Sequence, residues 1–109
     1  MSYRIIITEQ SKADIRGIFE YIANELQSLE VATGQLERLE TSIYSLQNMP
    51  DRFRRYNKEP WYSRGLRVMP VDNYIVFYIS NHEQETVHII RVMYSGRDID
   101  TQLKKHTKI

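Results

Sequence analysis

Two groups of side chains in this sequence have the types and spacing that catalysis or recognition needs. The first closes the last third of the chain. Two apolar, β-branched and aromatic runs, Tyr74–Ile79 and Val87–Tyr94, are separated by a short polar loop, and the second ends in the polar knot Tyr94-Ser95-Gly96-Arg97-Asp98. Runs that dense in Ile, Val and Tyr build a sheet. A sheet ending in a Tyr, an Arg and an Asp could build a site that either catalyses or binds. The second group is Trp61 and Tyr62 beside Arg64. Aromatics interleaved with arginines suit base stacking and phosphate contacts. They suit a protein interface equally well, since Trp, Tyr and Arg are the common hot-spot residues. A buried Trp61 covering the seam between helices and sheet is the competing reading.

The elements that must position these groups follow from periodicity and capping. Tyr3–Thr8 reads as a first strand. Ser11-Lys12-Ala13-Asp14 has capping-box spacing, with a side-chain oxygen for the open donors of a first helical turn. Ile15, Ile18, Phe19, Ile22, Ala23 and Leu26 then fall on one helical face. After a polar break at Gln27-Ser28, Val31, Ala32, Leu36, Leu39, Ile43 and Leu46 repeat the period, and Pro50 stops this second helix. Two amphipathic helices joined by a few residues make an antiparallel hairpin whose apolar stripes need a cover. Asp51–Ser63 is irregular. Leu66–Pro70, Tyr74–Ser80 and Thr86–Tyr94 are three strands with short connections, an antiparallel meander, and Asp98–Lys104 forms a last helical turn. The predicted order is β-α-α-β-β-β. It specifies one α+β domain over residues 1–109, an antiparallel sheet with the N-terminal helical hairpin packed on one face.

Composition bounds the partners. The chain has 109 residues, 41% of them hydrophobic and 27% charged, which is ordinary for a globular domain and argues against disorder. No apolar run approaches the roughly 20 residues of a membrane span, and the three isoleucines after Arg4 are too few for the h-region of a signal peptide. The chain has no cysteine, which excludes disulfides and thiolate metal sites and fits a cytoplasmic protein. Acids dominate before Pro50. Asp51–Arg67 instead carries Arg52, Arg54, Arg55, Lys58, Arg64 and Arg67 against Asp51 and Glu59 alone, and the tail adds Lys104, Lys105, His106 and Lys108. A basic patch focuses anionic partners, nucleic acid or an acidic protein; a solvated loop with arginines is the plainer reading. His82, His88 and His106 have no spacing that groups them as metal ligands, and neither a metal nor a cofactor is expected.

The element order, together with Gly65-Leu66-Arg67-Val68, Tyr74-Ile75-Val76-Phe77-Tyr78 and Ile90-Arg91-Val92-Met93-Tyr94-Ser95-Gly96-Arg97-Asp98-Ile99, resembles the RelE/ParE superfamily of toxins from type II toxin–antitoxin modules. The final block is similar to the end of ParE and plasmid-stabilisation proteins. The resemblance implies a growth-inhibiting toxin neutralised by a cognate antitoxin, meeting operator DNA only through that antitoxin. RelE-like members cleave messenger RNA on the ribosome; ParE-like members share the fold but poison DNA gyrase.

Cleaving RNA through its own 2′-hydroxyl needs a base, cations for the crowded phosphate, and an acid for the leaving oxygen. RelE-like nucleases are similar in placing an arginine right after the residue that starts the third strand. Ile75 stands there, and an isoleucine cannot stabilise a phosphorane. A nuclease built on this chain would draw on Arg67, Arg91, Tyr94, Arg97 and Glu59. Tyr94, with an unperturbed pKa of about 10, is a poor base without help and otherwise caps the sheet edge. Arg67 and Arg91 each alternate with apolar neighbours and would share one basic face opposite the helices, or simply a wet face. Arg97 is a cation held by Asp98 or a surface ion pair of little worth, and Asp98 also suits the cap of the last helix. The expected function is thus a ParE-like gyrase inhibitor with Trp61, Arg64, Arg67, Tyr94, Arg97 and Asp98 as target contacts. A RelE-like nuclease and an inactive homologue that only binds antitoxin are the alternatives.

Overall fold

The computed structural model describes residues 2–109. Its elements are β1 (Arg4–Ile7), α1 (Glu9–Glu25), α2 (Leu29–Ser45), a 3-10 turn (Pro50–Arg52), β2 (Arg67–Val71), β3 (Tyr74–Asn81), β4 (Thr86–Tyr94) and α3 (Ile99–His106). The sheet order is β1-β4-β3-β2. The meander β2-β3-β4 is antiparallel as the short connections require, and β1 joins β4 in parallel, so the sheet is mixed. That parallel pairing follows from the route of the chain, which must cross through the whole helical hairpin before it re-enters the sheet.

α1 starts three residues earlier than the Ser11 capping signal indicates. Thr8 is its cap, accepting from the Ser11 backbone N–H at 3.3 Å, while the buried Ser11 hydroxyl turns back onto the Thr8 carbonyl. The hairpin turns at Gln27, in the left-handed region, and Ser28 caps α2 by accepting from Val31 N–H. α2 ends at Ser45, ahead of Pro50, and Arg52 crosses its C-terminus to donate to the carbonyls of Ser45 and Asn48. A cation on those open carbonyls completes the helix end.

Leu39 and Ile43 of α2, with Leu46 at its C-cap, pack on Met69, Val71, Val76, Tyr78, Ile89 and Val92 of one sheet face. Each such side chain contributes about 1.5–3 kcal/mol on burial. The other face is not wet. Trp61, Leu66 and Tyr56 from the irregular segment, with Ile99 and Leu103 of α3, cover Ile75, Phe77, Ile90 and Met93. Backbone bonds from Tyr56 to Leu66 and from Val68 to Arg54 also close the outer edge of β2. Leu26 and Val31, assigned by periodicity to the apolar stripes, lie at the hairpin tip and are 59% and 51% exposed.

Candidate functional site: a tyrosine-lined groove at the sheet end

The strand ends determine which of the expected residues can meet. β3 and β4 finish their pairing at Tyr74 and Tyr94, which face each other across the ladder with ring centroids 6.0 Å apart in an edge-on arrangement. α1 passes over this end of the sheet. Between helix and strands lies a groove of about 690 Å³ whose walls include Gly17, Tyr21, Leu26, Tyr74, Tyr94 and Arg97. Tyr21 and Tyr94 are 61% and 51% exposed, and Arg97 is exposed with no carboxylate in ion-pair range among the described residues. The Tyr94 ring lies over Gly96: a Cβ there would stand 2.4 Å from its Cε2. A glycine is therefore what lets the ring fold back toward the groove. Gly96→Ala is expected to swing the half-exposed ring away, leaving thermal stability within about 1 kcal/mol while weakening partner binding. Unchanged affinity by calorimetric titration would deny the ring that role.

The groove holds aromatic surface and one unpaired cation but no available base. Asp14 is its carboxylate, and both oxygens are taken: Oδ1 accepts from Arg91 Nη2 at 2.8 Å, and Oδ2 from Arg91 Nε at 2.6 Å and Val92 N–H at 3.0 Å. Burial, with Tyr94 and Tyr21 beside it, pushes the Tyr74 hydroxyl above its ordinary value, so it holds its proton at neutral pH. The side chains left open in the groove, Tyr21, Tyr94 and Arg97, can stack and donate hydrogen bonds.

The other expected residues are dispersed. Arg91 does not share a basic face with Arg67. A β-bulge shifts the register between Phe77 and Tyr78, so β3 pairs Phe77 with Arg91 and Tyr78 with Ile89, and Ile90 is the extra residue. The extra residue breaks strict alternation and puts Arg91 on the Phe77 face, where it is 6% exposed and clamped by Asp14, the His106 carbonyl and Thr107 Oγ1. Arg67 pairs with Tyr78 on the helix-side face. It donates to the Phe53 carbonyl at 2.7 Å and pairs with Asp51 at 3.3 Å. Arg67 and Tyr94 sit opposite Tyr78 and Tyr74, four residues apart on β3, hence about 13 Å apart along the strand. Trp61 is 4% exposed and belongs to the core, with the Arg64 guanidinium 5.4 Å from its ring centroid, so its indole is not presented to a partner. Glu59 is exposed and accepts from Ser63 N–H at 2.8 Å and from the Ser63 hydroxyl, bonds that hold its carboxyl below its ordinary value and weaken it as a base. Asp98 caps α3, accepting from Thr101 Oγ1 at 2.7 Å and from Thr101 N–H, and is not the partner of Arg97.

Sequence reasoning passed over two constellations. Tyr21, Leu26 and Tyr74 complete the groove; exposure at the hairpin tip has no signature in a helical period. At the opposite end of the sheet, Asp51 accepts from His82 Nε2 at 2.8 Å and Ser80 Oγ at 2.7 Å, and the Tyr3 hydroxyl and His82 Nδ1 share a hydrogen bond of 2.6 Å. Burial alone would raise the Asp51 carboxyl, but the Ser80 hydrogen bond, Arg67 and His82 together hold it below its ordinary value. A carboxyl lowered on folding stabilises above its unfolded pKa of about 3.9, and that contribution is lost as pH falls through the lowered folded value. Asp51→Asn is therefore expected to lower the melting temperature at neutral pH and to flatten its fall below about pH 4, read by circular dichroism melts across that range. Parallel profiles for both proteins would remove Asp51 from the acid response. Among the described residues no group of His, Asp and Glu could hold a metal ion, and no helix is long and apolar enough to cross a membrane.

The family described as the ParE toxin of type II toxin-antitoxin systems matches residues 5–99. No curated protein sequence matches the chain. Among solved structures, it is similar to a chain of a chromosomal ParDE toxin–antitoxin system from P. aeruginosa, at TM-score 0.69 and 16% identity, covering 85% of this chain and 96% of that one. It is also similar to a mutant of the E. coli toxin RelE in the free state, at TM-score 0.64 and 14% identity over 94% and 93% of the two chains. A third likeness is to the RelBE2 toxin–antitoxin complex from Mycobacterium tuberculosis, at TM-score 0.62 and 18% identity over 86% and 92%.

Proposed function

Since the chain belongs to the ParE toxin family of type II toxin–antitoxin systems, we propose that it arrests growth in the cytoplasm by binding DNA gyrase, without cutting RNA, and that a cognate antitoxin holds it silent. The observation that carries the preference for binding over cutting is the fate of the catalytic candidates. Arg91 is spent on Asp14, Glu59 on Ser63, and Arg67 on Asp51 and Phe53 at the far end of the sheet. Ile75 packs under α3 in the outer core where a nuclease would want a cation. Tyr94 and Arg97 alone remain together and accessible, and a tyrosine beside an arginine in a groove is hot-spot chemistry.

The antitoxin surface we assign to the other flank of α1. The outer edge of β1 carries no strand among the described residues. Beside it runs a furrow between α1 and α2 lined by Ile7, Ile15, Phe19, Leu36 and Tyr44, with Lys12 and Arg16 on its α1 margin and Glu40 on its α2 margin. An antitoxin segment that adds a strand to β1 and lays an apolar, acid-flanked helix in the furrow fits both features. Induced expression is expected to stop growth, antitoxin co-expression to restore it, and toeprinting of translating ribosomes to show intact messages. Cleavage at codon positions would overturn the reading in favour of a nuclease; normal growth would favour an inactive homologue.

A further inference from the structure

Away from the groove, the molecule is electrically two-sided. α1 and α2 together carry seven acidic residues against three basic ones. The segment 54–64, which closes the outer sheet face through Tyr56 and Trp61, carries Arg54, Arg55, Lys58 and Arg64 against Glu59 alone. Lys58 approaches Asp100 at 4.0 Å, but Arg54, Arg55 and Arg64 are exposed and have no carboxylate in ion-pair range among the described residues. Two of these cations are already held in place. The Arg55 guanidinium lies 5.4 Å from the Tyr62 ring centroid and donates to the Tyr62 carbonyl at 3.3 Å, and Arg64 lies 5.4 Å from the ring of Trp61, the next residue along. Tyr62 itself is 49% exposed, and the single acid of the segment, Glu59, is turned onto Ser63. Stacking fixes a guanidinium without consuming its donors. Arg55 and Arg64 are thus held beside two neighbouring rings, the half-exposed Tyr62 and the buried Trp61, with Arg54 next to them in the chain.

We propose that Arg54, Arg55, Arg64 and Tyr62 form a surface for single-stranded DNA, the arginines on successive phosphates and Tyr62 against an unstacked base. The chemistry of the patch specifies a nucleic acid strand; the choice of DNA rests on the gyrase reading, since a gyrase-bound toxin would lie beside the DNA segment that the enzyme opens. Tyr62 and the arginines are then a second contact of the toxin, separate from the Tyr94–Arg97 groove.

Fluorescence anisotropy with the purified full chain and a labelled mixed-sequence oligodeoxynucleotide tests this directly. Three phosphate contacts give a slope of log affinity against log salt of about −2 for a single strand. The Arg55→Ala/Arg64→Ala protein is expected to drop that slope below about −1, whereas Arg55→Lys/Arg64→Lys keeps it. Tyr62→Ala, a change at an exposed ring, is expected to weaken single-strand binding about tenfold and duplex binding by less, since a duplex keeps its bases stacked and loses only the ring's hold on Arg55. The Tyr94→Ala/Arg97→Ala protein should bind the oligonucleotide like the parent, so this proposal and the gyrase reading fail separately. Absence of binding at low salt, indifference to both the Arg55/Arg64 and Tyr62 changes, or preference for an RNA strand of the same sequence overturns the proposal. So does displacement of the strand by polyglutamate as readily as by unlabelled DNA, which would mark the patch as a site for an acidic protein.

Discussion

Replacing Arg91 by alanine is expected to lower folding stability by about 3–5 kcal/mol, the range for stripping one partner from a buried ion pair. The guanidinium and the Asp14 carboxylate are 7% and 15% exposed and joined by two bonds of 2.6 and 2.8 Å. Without Arg91, Asp14 keeps one backbone donor, Val92 N–H, for a charge held largely out of water. The His106 carbonyl and Thr107 hydroxyl lose their donor at the same time, so the end of α3 loosens from β4. At roughly 4 °C per kcal/mol for a chain of this size, the melting temperature should fall by about 12–20 °C. Lysine at this position keeps the charge but loses the fork that grips both carboxylate oxygens, and should recover only part of the loss. An Asp14→Leu/Arg91→Met double change, which removes both charges together, is expected to be far milder than either single change. An Arg91→Ala protein that melts like the parent yet fails to inhibit its target would return Arg91 to the recognition surface.

The second large effect belongs to the groove. Tyr94→Ala and Arg97→Ala are each expected to weaken target binding by about 2 kcal/mol or more, roughly thirtyfold. Neither side chain supports the core: Tyr94 is half exposed and Arg97 exposed. Melting temperatures should therefore stay near the parent's, in contrast to Arg91→Ala. The two losses should not simply add. The Arg97 backbone N–H donates to the Tyr94 carbonyl at 3.1 Å, and both side chains line one groove, so a double-mutant cycle should show coupling. Calorimetric titration beside thermal melts separates the outcomes. Lost binding with an equally large drop in melting temperature would make these residues structural and leave the groove without a role.

Much of the architecture was legible because local signals agreed with one another. The apolar periods of α1 and α2, the short turns of the meander and the β-branched density of β3 and β4 all specify the same layers. Asp98 as the cap of α3 could be read from its place before that helix, and it caps. What escaped reading depends on contacts distant in sequence. The bulge at Ile90 is a single extra residue, invisible in an apolar run, yet it puts Arg91 on the Phe77 face, where it joins Asp14 in a buried pair. Trp61 lies in a segment with no period, so its place in the outer core is fixed only by Leu66, Phe77 and Leu103 closing around it. Leu26 follows the helical period faithfully and is exposed all the same, because the period says which face it occupies and nothing about what covers it. Of the residues expected at the site, Tyr94 and Arg97 share the groove, while Arg67, Arg91, Glu59, Trp61 and Asp98 are committed elsewhere in the fold.

The most direct test of action by binding is the supercoiling of relaxed plasmid by purified DNA gyrase in the presence of the purified chain. Inhibition at near-stoichiometric toxin is expected, relieved by antitoxin and abolished by Tyr94→Ala/Arg97→Ala. Supercoiling that proceeds undiminished in a large excess of folded toxin would contradict it.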